Sequence, residues 1–125
     1  MDKWQAQDLY WNSFGPTAYN ELTVPETAKD VLDAGQYVMT YQAVVGSLDG
    51  PMTVSGNLYK KSNSWAPIMQ KVSEMEKIID RVIPVDGGAV KFRKPLANFA
   101  QPMSEPNDPQ VRRILLTVEI EFLTE

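Results

Sequence analysis

The sequence predicts an α+β fold over residues 1–125, a single domain built on a mostly antiparallel or mixed sheet of about four to five strands. A long helix at about 64–82 packs on one face, and a short helix stands at the N-terminus. Three observations predict this. Val111 to Leu123 alternates apolar and polar residues, unbroken from Ile114 to Phe122, as a strand with one buried face does. Tyr37 to Lys60 reads as two strands joined by turn residues. From Trp65 to Val82, apolar residues recur at three- and four-residue steps, the period of an amphipathic helix.

Lys3 to Phe14 reads as a short helix: Trp4 and Trp11, and Tyr10 and Phe14, fall at seven- and four-residue spacings, and Gly15-Pro16 stops it. An aromatic first helix is usually core, yet a terminal helix also serves to dock on a neighbouring subunit. Thr17 to Gln36 reads as mostly irregular. Val24-Pro25 is extended, since a residue before proline is pushed out of the α region, and Glu26 to Leu32 holds at most a short turn or helix.

Tyr37 to Val45 reads as a strand with Tyr37, Met39, Tyr41, Ala43 and Val45 on one face. Both its faces are partly apolar, which predicts cover on both sides. Ser47-Leu48-Asp49-Gly50-Pro51 is turn chemistry, with Gly50 available for positive φ. Met52 to Lys60 returns as the second arm of a hairpin, with Met52, Val54 and Leu58 alternating against Thr53, Ser55 and Asn57.

Ser64 suits the N-cap of the long helix, and Pro67 falls in the first turn, where its missing N–H is not needed. Trp65, Ile68, Val72, Met75, Ile79 and Val82 form the apolar stripe, and Gln70, Lys71, Glu74, Lys77 and Asp80 point away. Val82 to Val85 then turns through Asp86-Gly87-Gly88 into Ala89 to Arg93, a small hairpin. A phosphate-loop reading of these glycines fails, because the G-x-x-x-x-G-K-[ST] spacing is missing.

Pro95 to Gln110 is a long connection with four prolines (Pro95, Pro102, Pro106, Pro109) and few regular signals. Its apolar residues Leu96, Phe99 and Met103 fit either packing back onto the domain or reaching a partner. In the last segment Ile114, Leu116, Val118, Ile120 and Phe122 share one face, expected under the long helix; Arg113, Leu115, Thr117, Glu119 and Glu121 share the other.

Composition narrows the chemistry. An apolar share of 43% with 22% charged residues is that of a globular chain able to bury a core. With no cysteine, disulfides and thiolate sites are excluded, and a cytoplasmic origin is favoured. With no histidine, the commonest general base and metal ligand are missing. No Ca²⁺-loop spacing appears, so neither a metal nor a cofactor is expected. A net charge of −4 argues against a nucleic-acid clamp, and Lys60-Lys61 and Arg112-Arg113 are too small to reverse it. Met1-Asp2-Lys3-Trp4 lacks the apolar core of a signal peptide, and no membrane span is expected. Glu119 and Glu121, neighbours on one strand face, read as solvated surface rather than a carboxylate pair for hydrolysis. No catalytic set assembles, and no enzyme is expected.

The order of segments carries a resemblance. Phe14-Gly15-Pro16-Thr17-Ala18-Tyr19 follows an aromatic helix; Thr23-Val24-Pro25, a tyrosine-bearing strand and a hairpin come next. Ser64-Trp65 opens a helix, Ile83-Pro84-Val85-Asp86-Gly87-Gly88 follows, and Arg112-Arg113-Ile114 leads into Glu121-Phe122-Leu123-Thr124. Over nearly the whole chain this order resembles the tail terminator (tail completion, head–tail joining) proteins of long-tailed bacteriophages.

The resemblance implies a structural virion protein: a homo-hexameric ring that caps the head-proximal end of the tail tube, stops its polymerisation and joins it to the head connector. Its implied partners are the tail tube protein and the connector or stopper protein. DNA would pass through the ring without specific binding, past an acidic wall that lowers sticking. Host cytoplasm during assembly and the virion tail afterwards are the implied locations. A closing ring needs two unlike patches per subunit. Phe99 and Met103, with Trp4, Trp11 and Tyr19, are the candidate contacts to tube or neighbour; Thr117, Glu119 and Glu121 are the candidate lumen-facing row. The alternatives are another head–tail connector, a minor tail or capsid component, or a monomeric ligand- or host-protein-binding module in which Tyr37 and Tyr41 line a pocket.

Overall fold

The computed structural model describes residues 1–44, 50–96, 98–105 and 108–124. Among these residues ten elements follow one another: α1 (Lys3–Asn12), β1 (Ala18–Asn20), α2 (Thr27–Asp33), β2 (Val38–Tyr41), β3 (Met52–Lys61), α3 (Ala66–Glu76), β4 (Arg81–Val85), β5 (Gly88–Arg93), β6 (Ala100–Met103) and β7 (Val111–Thr124). The strands form one curled, half-barrel sheet in the order β1-β2-β3-β7-β5-β4, with β6 paired to β7 off that path. β1 runs parallel to β2 and every other pair is antiparallel.

β7 organises the sheet because its length serves three partners. One edge pairs with β3 from Val111 to Ile120. The other is shared, with β6 opposite Arg113–Leu116 and β5 opposite Glu119–Thr124. Its apolar set Ile114, Leu116, Val118 and Ile120 is buried, with Phe122 partly so, and the register carries that inner face sideways. Leu58 lies opposite Ile114, Val54 opposite Val118, and Phe92 opposite Ile120. A one-residue slip would turn every one of these side chains outward, so the register is strongly specified.

Two helices cover this face. Ile68, Val72 and Met75 of α3 and Ala6, Tyr10 and Trp11 of α1 join the same buried cluster. α1 also touches both β1 and β4, the two ends of the strand order, and so spans the open side of the half-barrel. Covering a sheet edge with a helix is one way to keep it from pairing with other chains.

The structure corrects the expected architecture in several places. Among the described residues the sheet has seven strands, not four or five. There is no helix over 64–82: α3 ends at Glu76, with Lys77 at its C-cap. Ile79 is buried beyond the helix, and Val82 lies in β4 with 54% of its surface exposed. Pro84 forces its predecessor to be extended, and the Asp86-Gly87 turn pairs Arg81–Val85 with the strand that follows, so this segment is drawn out of the helix. Gly87 takes the positive φ (+83°) that the turn requires.

Ser64 is not the N-cap. Trp65 occupies that position without a side-chain cap, and Ser64 Oγ accepts from the N–H of Ala66 at 3.1 Å. Two strands arise where irregular chain was expected. β1 lies inside 17–36, and β6 inside 95–110, where Pro102 is tolerated because β6 gives β7 only one of its edges. The strand expected over Tyr37 to Val45 is confined to Val38–Tyr41, and Val45 and Ser47 to Asp49 of the expected turn lie outside the described residues, as does Pro106.

Candidate interaction surfaces

The first surface is built on α1. Asp2 starts the helix by accepting from the N–H groups of Trp4 and Gln5 at 2.9 and 2.8 Å, while Gln5 Oε1 accepts from the Asp2 N–H at 2.9 Å. This reciprocal cap satisfies free N–H groups at the first turn and sets where the helix begins. Tyr10 stacks on Phe92 with centroids 3.9 Å apart and donates its hydroxyl to the carbonyl of Ile79 at 2.8 Å. Trp11 lies parallel to Tyr41, centroids 6.1 Å apart. Burial pushes the Tyr10 phenol upward, with the charge of Asp80 adding to it. Tyr41 is raised by burial, then by its hydrogen bond to Asp8 Oδ1 at 2.9 Å and that carboxylate's charge.

Two amides on α1 take the place of a missing strand. Asn12 Oδ1 accepts from the N–H of Ala18 at 2.9 Å and Asn12 Nδ2 donates to its carbonyl at 3.3 Å. The carbonyl of Thr17 and the N–H of Glu21 bond to β2, so Ala18 turns its own groups to the free edge, where Asn12 satisfies both. Gln7, buried at 2% exposure, treats Val44 likewise: its Oε1 accepts from the Val44 N–H at 2.8 Å and its Nε2 donates to the Val44 carbonyl at 3.4 Å. A buried amide left unpaired costs free energy, which explains why each side chain meets both a donor and an acceptor.

The outward side of α1 borders a groove of about 760 Å³ between the helix and the β1–β2 edge. Met1, Trp4 and Leu9 line it and are 40–48% exposed; Asp8, Asn12 and Asn20 supply its polar groups. The groove is apolar with one carboxylate, a chemistry suited to another protein's side chain.

The second surface is the outer side of the sheet. α2 covers one part of it, with Ala28 and Val38 both buried, and leaves a groove of about 560 Å³ bordered by Val24, Leu32, Tyr59 and Arg113. Toward β5, rows of cross-strand neighbours run Thr53–Glu119–Arg93 and Glu121–Lys91. Arg93 holds Glu119 in an ion pair, its Nε at 2.7 Å from Oε1. Arg113 Nε donates to Asn57 Oδ1 at 2.9 Å.

The expected contact residues are scattered. Trp11 and Phe99 are buried at 1% and 2% exposure, so neither ring is offered to a partner; Phe99 closes the gap between β6 and β5, its carbonyl accepting from the Thr117 N–H at 2.7 Å. Trp4 is exposed, and Tyr19 and Met103 are half-buried on different strands. Thr117, Glu119 and Glu121 do share the outer face of β7, but half-buried rather than fully solvated.

Tyr37 and Tyr41 do not line one pocket. Tyr37 donates to the carbonyl of Pro67 at 2.8 Å and carries Lys60 over its ring, whereas Tyr41 packs inward on Trp11. Burial and the nearby Glu74 raise the Tyr37 phenol.

Sequence reasoning missed Gln7, Asn12 and Asp8. Their only signal was a polar residue on or beside an otherwise aromatic helix face. Among the described residues, no three Asp or Glu side chains gather as a metal site. Comparison of the chain with protein-family models, with curated proteins and with solved structures finds no match.

Proposed function

We propose that this protein is a structural component of a phage tail, a terminator that assembles as a ring on the head-proximal end of the tail tube and presents its other side to the head connector. The observation that carries the reading is a pair of unlike uncovered surfaces on one subunit: the apolar groove beside α1, and the charged outer rows of β5 and β7. A cyclic assembly repeats one heterologous contact until it closes, and that contact needs two different patches. The segment order from the aromatic helix through Ile83-Pro84-Val85-Asp86-Gly87-Gly88 to the last strand supports the same reading. Glu119 and Glu121, set opposite Arg93 and Lys91 across the strand pair, would give the passage a charge-balanced wall that offers DNA no basic hold.

The deciding experiment images particles assembled without this protein. Overlong tails, or tails unjoined to heads, are expected; normal joined tails overturn the proposal.

A further inference from the structure

We infer that Leu96, at the corner after β5, seats in the α1 groove of the next copy. The inference rests on the ring reading and names the contact within it. Leu96 is as exposed as in an open chain, at 106% of its reference surface. Yet the chain on either side is held. The N–H of Lys94 donates to Asp80 Oδ1 at 2.8 Å, Pro95 is buried, and Phe99 is buried with its carbonyl accepting from Thr117. A leucine presented this way on an anchored corner is a knob without a hole in its own subunit.

The groove beside α1 supplies the hole. Trp4 and Leu9 wall it with half-exposed apolar surface, and its volume of about 760 Å³ admits a leucine side chain. Charge fits as well. Asp8, beside Leu9 in the groove, pairs with no cation among the described residues, and Lys94, two residues before the knob, pairs with no carboxylate among them. Seating the corner would bring these two together at the rim, where opposite charges set register and steer encounter. Knob and groove are different patches, so the contact is heterologous and can repeat around a ring.

The chain has no cysteine, which makes the test clean. Unlabelled Leu96→Cys and ¹⁵N-labelled Leu9→Cys proteins are mixed in equal amounts and oxidised mildly, and the isotope label lets the disulfide-linked dimers be sorted by mass. A seated corner raises the effective concentration of the mixed pair, so the heterodimer should exceed both homodimers together by about tenfold or more. A statistical mixture, with half the dimers mixed, overturns the inference, as does the absence of dimers. Trp4→Cys replaces Leu9→Cys as a second groove position, and thermal melts check that each variant is folded. The outcome separates from the function itself: a statistical mixture alongside overlong tails rejects this contact alone, whereas a dominant heterodimer alongside normal tails rejects the terminator role alone.

Discussion

The indole of Trp11 lies directly on Gly56: a Cβ at Gly56 would come 2.9 Å from Cζ3 of Trp11 and 2.9 Å from the carbonyl oxygen of Thr40. The inner face of β3 therefore has a notch where a side chain is missing, and the largest buried residue of α1 fills it. Gly56→Ala should overpack this contact and lower stability by about 1–3 kcal/mol, read as a shifted urea midpoint at unchanged slope. A variant as stable as the parent would mean the helix can lift away freely.

Tyr10 joins α1 to the chain entering β4. Tyr10→Phe keeps the stack on Phe92 but strands the carbonyl of Ile79, at a cost of about 1–2 kcal/mol near neutral pH. The phenol is raised above its ordinary 10.0 in the folded protein. The folded state thus retains a proton that the unfolded state gives up, so this contribution is complete below pH 10 and is lost as pH rises beyond it. The parent should destabilise more steeply than Tyr10→Phe above that pH, and parallel stability curves there would refute the assignment.

Asn12 closes the free edge of β1 with its side-chain amide. Asn12→Ala should cost about 1 kcal/mol and speed hydrogen exchange at the Ala18 amide, which loses its acceptor. Exchange at Ala18 equal to that of the parent would count against the edge-closing role. Increased association of the variant at high concentration is the further consequence of an opened edge.

Arg93 and Glu119 differ in exposure: 42% of the arginine side chain is accessible, against 15% of the carboxylate. Arg93→Ala leaves a mostly buried anion without its cation and should destabilise by about 1–2 kcal/mol, less than a fully buried pair because solvent reaches the arginine. Glu119→Gln, which removes the charge along with the need for a partner, should cost less. Equal losses in thermal melts would show that the pair matters through packing and not charge.

The sequence-to-structure relationship divides at identifiable residues. Alternation from Ile114 to Phe122 specified the last strand and its buried face, because a period of two has one structural solution over nine residues. Asp86-Gly87-Gly88 specified a hairpin, because few residues accept its backbone angles. The stripe from Ile68 to Val82 did not fix the length of a helix. Ile79 and Val82 fit a period of 3.6, but Val82 meets Lys91 across a strand pair, and pairing with β5 decided the matter. The same holds for Trp11 and Phe99, aromatic residues whose spacing gave no account of what covers them.

By itself the sequence determined the chemistry on hand, with neither cysteine nor histidine, and the segments whose local pattern admits one conformation. Only the tertiary structure decided where α3 stops, that β1 and β6 join the sheet, and that α1 lies across its open side with Gln7 and Asn12 bonded to backbone. Those features depend on partners distant in the chain, and a local pattern says which face is apolar but not what will come to lie against it.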